Sequence, residues 1–339
     1  AALQKNHGLS RSQFAIAPSH THTGPALSDN LVPLHYLRAP EAEAARIAQY
    51  TIQLRTKIID GVDAAYKTMQ PVSLTWGSGN CTVAVNRRNN AEAKVPQLRL
   101  AGELKGPFDH DVPVLAIRDA DFKLKAVVFG YACHSTVLSF TQWSGDYPGF
   151  AQTALEETNP GVTAMFWAGC GADQNPLPRR TVELAKTYGK RLANAVNSVL
   201  QGRMQKVSGP LHTQYREIQG RTVAPKTRKE LETIQRDGNQ YEKPYARYLL
   251  NQLNDNIALP QTYAYPIQTW HLGDNVQWIF LGGEVVIDYA IKIKQGAQPI
   301  SPYRNPAIWV AGYSNDVMAY IPSLRVLREG GYEGGGSNT

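Results

Sequence analysis

Five short segments of this 339-residue chain carry side chains able to bind a metal or move a proton, and each follows an apolar run. In Phe14-Ala-Ile-Ala-Pro-Ser-His20-Thr-His22, the two histidines are two residues apart. In extended chain such residues face the same side, so both imidazoles can reach one centre. Imidazole is the commonest metal-ligand type, although an HxH pair alone also suits two solvent-exposed loop histidines. A third histidine ends Val127-Val-Phe-Gly-Tyr-Ala-Cys-His134. Alone it reads as a satisfied core residue; with His20 and His22 it completes a partial zinc shell. Trp278-Ile-Phe-Leu-Gly-Gly-Glu284 brings in a carboxylate. Such a group is costly to bury unless paired or metal-bound, and would otherwise serve as a helix-starting glutamate. The remaining two are Ile308-Trp-Val-Ala-Gly-Tyr-Ser-Asn315 with the later Tyr320, and Trp143-Ser-Gly-Asp146 with Gly169-Cys-Gly-Ala-Asp173-Gln-Asn175-Pro. Each of these also reads as a turn or helix cap.

Competing chemistries lack their motifs. GxSxG, HExxH, the P-loop and GxGxxG are all absent from the sequence, which leaves no nucleophile elbow, zincin helix or nucleotide loop to argue from. Ser135 adjoins His134, but neighbouring residues in a strand point to opposite faces, so the pair is no triad. Asp109-His110-Asp111, bounded by Pro107 and Pro113, reads as a surface turn.

The elements that must hold these residues alternate irregularly. Phe14 to Ala17 reads as a short buried strand, and Ala39 to Met69 as an alanine-rich helix with Ile47, Tyr50, Ile52, Leu54 and Ile58 on a broad stripe. Strands are expected at Val72 to Gly77, Thr82 to Asn86, Val112 to Arg118, Leu124 to Tyr131, Val162 to Ala168, Gly209 to Ile218, Tyr265 to Leu272, Val276 to Leu281 and Ile308 to Ala311. Helices are expected at Phe150 to Glu157 and Arg180 to Leu200, with a polar one from Arg228 to Leu253 broken near Gly238 and Pro244. Without a strict βαβ rhythm, the pattern predicts a layered mixed α/β fold.

Composition bounds the rest. At 42% hydrophobic and 19% charged, the chain can bury a large core, in one big domain or two smaller ones. Its apolar runs are too short to cross a bilayer. Thirty-five Lys and Arg against 28 Asp and Glu leave a charge of +7. The basic spots, such as Arg87-Arg88 and Arg179-Arg180, are short. A solvated surface accounts for them; an anionic membrane or acidic substrate is the other reading. No recognition motif accompanies the charge, so nucleic acid is not an expected partner. Cys81, Cys133 and Cys170 have no CxxC spacing, and buried free thiols are expected.

Taken in order, the segments resemble the neutral/alkaline ceramidase family. The resemblance rests on Ser19-His-Thr-His-Thr-Gly-Pro25, Val85-Asn-Arg-Arg88, Tyr131-Ala-Cys-His134, Ser144-Gly-Asp-Tyr-Pro-Gly149, Gly169-Cys-Gly-Ala-Asp-Gln-Asn-Pro176, Gly283-Glu284, Gly312-Tyr-Ser-Asn315 with Tyr320, and Gly331-Tyr332-Glu-Gly334. It spans His20 to Gly334, nearly the whole chain. It implies a layered mixed α/β domain over residues 1–339, with a zinc site at strand ends. It implies that His20, His134, Glu284 and Tyr320 bind one Zn2+, and that His22, Arg87 and Tyr332 line the reaction centre. Asp146 and Asp173 become candidates to orient the ligand imidazoles, or else helix caps.

The implied activity is zinc-dependent hydrolysis of an N-acyl amide in a ceramide-like sphingolipid, by activated water. The alternatives are the same site acting on a small N-acyl compound or an ester, and a non-catalytic lipid-binding relative. Peripheral membrane contact and a secreted or periplasmic location are further implications. Three features depart from the family pattern. Gln174 stands near the place of a family serine, which disfavours a serine nucleophile. The stretch between His134 and Glu284 is short. The family's strand-rich stretch before the first histidine motif and its immunoglobulin-like C-terminal domain have no counterpart here, which leads to the expectation of a processed or partial chain.

Overall fold

The central strands are mostly apolar, and the pleat sends successive side chains to opposite faces. In a computed structural model, which describes residues 1–296 and 306–336, this produces four layers. The first sheet contains β1 (Ser73–Asn80), β3 (Asp111–Arg118), β4 (Leu124–Tyr131), β5 (Thr163–Ala168) and β7 (Gln205–Val207), in the order β5-β4-β3-β1-β7. Its pairings are antiparallel except β4 with β5, which are parallel and joined through helix α4 (Asp146–Thr158). Val112, Val114, Val127, Phe129 and Tyr131 face α4 and the amphipathic α5 (Val182–Gln201). Leu115 and Val128, between them in sequence, face the other way.

The second sheet contains β8 (Leu211–Arg221), β9 (Thr262–Leu272), β10 (Val276–Leu281) and β12 (Ala307–Ala311), in the order β12-β10-β9-β8. Trp278, Phe280 and Trp309 pack between the sheets, while Ile279, Leu281, Ile308 and Val310 face α8 (Ile287–Gly296) on the outside. The inter-sheet layer is aromatic: Trp278 stacks on Trp309 at 3.8 Å between ring centroids, and Trp76 approaches Trp309 at 5.6 Å. Gly130 is required by this contact, because a Cβ there would lie 2.7 Å from the Trp309 ring nitrogen. Two short ladders close the end of the sandwich: β2 (Ala84–Asn86) with β6 (Gln174–Pro176), and β11 (Glu284–Val285) with β13 (Tyr320–Ile321). The other helices are α1 (Ala2–His7), α2 (Glu41–Lys67), α3 (Val95–Ala101), α6 (Arg228–Asp237), α7 (Glu242–Asn254) and α9 (Leu324–Glu329).

The layered mixed α/β reading holds, and the strands at Leu124 to Tyr131 and Val276 to Leu281 agree to the residue. Three expectations change. Phe14 to Ala17 is not a strand. Distant groups meet this stretch and the residues before it instead: Gln268 donates to the Ser12 and Phe14 carbonyls, Trp270 donates to Ser12, the Asn315 side chain accepts from the Ile16 amide, and the Asn315 backbone amide donates to the Ile16 carbonyl. Helix α2 forms, but Thr51 is its only buried residue and Ile52 is 63% exposed. Alanine-rich composition and acids in the first turn favour the helix locally, so its stripe need not be covered. Asp109 and Asp111 are not a free surface turn: both carboxylates accept from Lys294 Nζ of α8, each at 2.7 Å. The three cysteines are free and buried. Residues 337–339 of the glycine-rich end lie outside the described residues.

Candidate metal centre

Strand ends supply the donors. Two residues separate β4 from His134, and the Gly282-Gly283 turn carries the chain from β10 to Glu284. Gly283 has φ 74, and a Cβ there would lie 2.7 Å from Ile321 Cγ1, so the turn excludes larger residues. Glu284 pairs with Tyr320 in the parallel β11–β13 ladder, which sets the two side by side. His20 and His22 lie on an irregular loop held from several sides. The Ser135 hydroxyl donates to the Ser19 carbonyl at 2.7 Å, and the Thr21 and Thr23 hydroxyls each donate to the Ser144 carbonyl at 2.9 Å. Backbone strain collects here: non-glycine φ angles are positive at His20 (56), Tyr313 (52), Asn315 (70) and Asp146 (55).

The three imidazoles of His20, His22 and His134 converge, with ligand atoms within 4.8 Å of one another. Glu284 Oε2 lies 3.3 Å from His20 Nε2 and 3.1 Å from His134 Nε2. The His134 tautomer follows from its other nitrogen. Nδ1 is 2.7 Å from the Gly171 carbonyl, which can only accept, so Nδ1 carries the proton. Burial pushes the His134 pKa down, favouring the neutral ring. Its Nε2 lone pair then faces a carboxylate oxygen with no proton between them. The His134 lone pair, the His20 and His22 rings and the Glu284 carboxylate form a donor set that fits a metal ion, with the Gly171 carbonyl orienting one ligand from behind.

Around this centre the sequence-derived residues divide. The Tyr320 hydroxyl is 3.4 Å from Arg87 Nη2, and burial beside Glu284 raises its pKa. The Arg87 guanidinium lies 5.4 Å from the Tyr332 ring centre, and the Tyr320 and Tyr332 rings are 5.3 Å apart. His22 is exposed at the mouth of the site; the surrounding protein and the neighbouring His134 and His20 rings push its pKa down. Asp146 and Asp173 bind backbone amides rather than orienting imidazoles. Asp146 accepts from Leu138 and Tyr147, and Asp173 accepts from Ile287 at the start of α8. Asp173 so caps the start of α8 from another segment, while Asp146, the first residue of α4, ties the loop after His134 to that helix. Gln174 is fully buried in β6; its backbone carbonyl accepts from His134, and its Oε1 has no partner among the described residues.

Three participants were not singled out from sequence. Tyr313 stacks on His20 at 4.6 Å between ring centres, with its buried hydroxyl unpartnered among the described residues. The Gly171 carbonyl is a backbone group with no sequence signal. Glu333, in the Gly331 to Gly334 segment, binds both Arg87 and Arg88.

The sheet pair, its outer helices and this end-on cluster make up a ceramidase-like fold. Among solved structures the chain is similar to the neutral ceramidase from Pseudomonas aeruginosa, with a TM-score of 0.70 at 18% sequence identity, covering 98% of this chain and 59% of that one. A structure described as ceramidase complexed with C2 gives the same TM-score and identity and is covered over 60% of its length. The chain thus spans about three fifths of the structures it matches. It matches no protein-family model, and comparison with curated proteins gives no match.

Proposed function

We propose that this protein is a zinc-dependent hydrolase that cleaves an N-acyl amide bond of a ceramide-like substrate. The observation that carries the proposal is the unprotonated Nε2 of His134 facing Glu284 at 3.1 Å, beside His20, in a ceramidase-like fold. His20, His134, Glu284 and Tyr320 would hold the metal. Bound there, zinc supplies Lewis-acid chemistry, lowering the pKa of water to about 7 and polarising a carbonyl.

The protein's own groups do the rest. His22, at the mouth, takes the proton of the attacking water on a ring nitrogen and delivers it to the leaving amine. Water oxygen bonds the acyl carbon, the C–N bond breaks, and a carboxylic acid and an amine depart. Arg87 and the Tyr332 hydroxyl donate to the acyl oxygen as negative charge develops on it. A secreted or periplasmic location with peripheral membrane contact belongs to the same proposal and rests on the sequence resemblance alone.

A second reading keeps this chemistry for a small polar N-acyl compound or ester. It is favoured by a cavity of about 680 Å³ that Arg87 and Tyr332 share with Arg88, Asn89, Asn90 and Arg179. Metal analysis combined with a panel of long-chain and short polar N-acyl substrates tests both. About one equivalent of zinc, with turnover of long-chain amides, is expected. Turnover of the short polar compounds alone would favour the second reading, and stoichiometric zinc with no turnover would indicate a binding protein. Absence of zinc would end the metal proposal.

A further inference from the structure

Glu333 is 3% exposed. Carboxylates are almost never so buried unless paired, and this one uses its two oxygens on two different arginines. Oε1 accepts from Arg87 Nε at 2.6 Å, and Oε2 accepts from Arg88 Nη1 at 2.7 Å. These are short, charge-assisted bonds. Arg88 is fixed on its far side as well, where Nη2 donates to the Gly330 carbonyl at 2.8 Å and to Glu329 at 3.2 Å. The arginine pair and the Tyr332–Gly336 turn therefore form one unit, with Glu333 at its middle.

The consequence falls on Arg87 and Tyr332. The Arg87 backbone amide donates to the Asp173 carbonyl at 2.9 Å, which sets the root of the side chain. Its Nε is then held by Glu333, which fixes rotation along the chain and leaves Nη2 directed at Tyr320. Tyr332 is 56% exposed, so its own burial does not hold it in place. It follows Gly330 and Gly331, which leave a chain loose unless it is tied down. The anchor is the next residue, Glu333. We propose that Glu333 is a positioning residue: its bridge to Arg87 and Arg88 sets both proposed oxyanion donors, Arg87 and Tyr332, against the centre. This rests on the reading given under "Proposed function".

The test uses Glu333→Gln, Glu333→Asp and Arg87→Ala, with the double variant E333Q/R87A, in the full chain. Glu333→Gln should lower kcat roughly ten- to a hundredfold, the scale of a donor misplaced by about 1 Å, with KM changed less than about twofold. Glu333→Asp, which keeps the charge, should recover part of that loss. On the Arg87→Ala background Glu333→Gln should add little, because the two act through one group. Amide exchange across Tyr332 to Gly336 should speed up in Glu333→Gln, with zinc content unchanged. Wild-type kcat in Glu333→Gln, or an equal further loss on the Arg87→Ala background, would overturn the proposal. If wild type turns over no N-acyl substrate, the functional reading fails instead, and unchanged amide exchange in Glu333→Gln would still overturn the tether. Should Glu333→Gln fail to fold, the aspartate variant carries the kcat, KM and exchange readouts: a partial loss of kcat with faster exchange and little change in KM would uphold the bridge, and wild-type values for all three would overturn it.

Discussion

At His134 a single backbone carbonyl decides what the imidazole can do. Because Gly171 accepts from Nδ1, the inward nitrogen has only a lone pair to offer, and a carboxylate 3.1 Å away cannot satisfy it. The same logic of directed groups applies to Arg87 and Tyr332. Donors aimed at an oxygen that gains charge only during reaction contribute to the transition state and little to the ground state. Arg87→Ala and Tyr332→Phe are therefore expected to lower kcat by about 10²–10³ each, with zinc content nearly unchanged. Tyr332→Phe should also leave the melting temperature alone, since that ring is largely exposed. Arg87→Ala should cost some stability, because it strips one partner from a buried carboxylate. Activity within about twofold of wild type for both, on a confirmed substrate, would refute the donor roles.

Among the elements, the terminal turn Tyr332–Gly336 depends most on charge. Burial works against ionised Glu333, and Arg87 and Arg88 more than offset it, holding the carboxyl below the ordinary glutamate range. A carboxyl depressed in the folded state contributes stability above its unfolded pKa, about 4.3, and loses it as pH falls through the folded value. The turn should therefore stay docked at neutral pH and loosen below about pH 4, read as faster amide exchange or proteolysis at Tyr332 to Gly336. Glu333→Gln should remove the pH dependence in that window. Exchange in the wild-type turn that is flat with pH, after correction for intrinsic rates, would show that the arginines do not hold it. The segment Phe14 to Ala17 makes a related point. It has strand-like residues but no strand neighbour, and the side chains of Gln268 and Asn315 meet its backbone groups instead.

For the whole molecule, the two sheets are held apart and in register by tryptophans. Trp309 is 2% exposed, stacks on Trp278, and fits against the bare backbone of Gly130. Trp309→Ala is expected to lower stability by about 3–5 kcal/mol through lost burial and the cavity left behind. Gly130→Ala should also destabilise, because its methyl would meet a packed ring. Denaturant midpoints of both variants measure this, and a Trp309→Ala protein as stable as wild type would show that the inter-sheet layer is not the main core. Because Gly312 donates to the Ala168 carbonyl where the sheets meet, such a loss should also loosen the loops around the donors.

Much of this was legible in the residues alone. Apolar runs predict β3, β4, β10 and β12, because each strand is covered on both faces and buries successive residues on either side. The family resemblance of the segments implied His20, His134, Glu284 and Tyr320 as a set, and the structure brings the His20 and His134 rings within 3.3 Å of a Glu284 carboxylate oxygen. Local sequence carries no record of which backbone group will face a side chain, because that depends on segments far apart in the chain. Hence the Gly171 carbonyl behind His134, the backbone amides that Asp146 and Asp173 meet, the Tyr313 ring on His20 and the Glu333 bridge came only from the tertiary structure. The half-covered stripe of α2, with Ile47, Tyr50 and Leu54 half-buried and Ile52 and Ile58 exposed, has the same origin: periodicity states which face is apolar, and only the packing of the other layers decides how far it is covered.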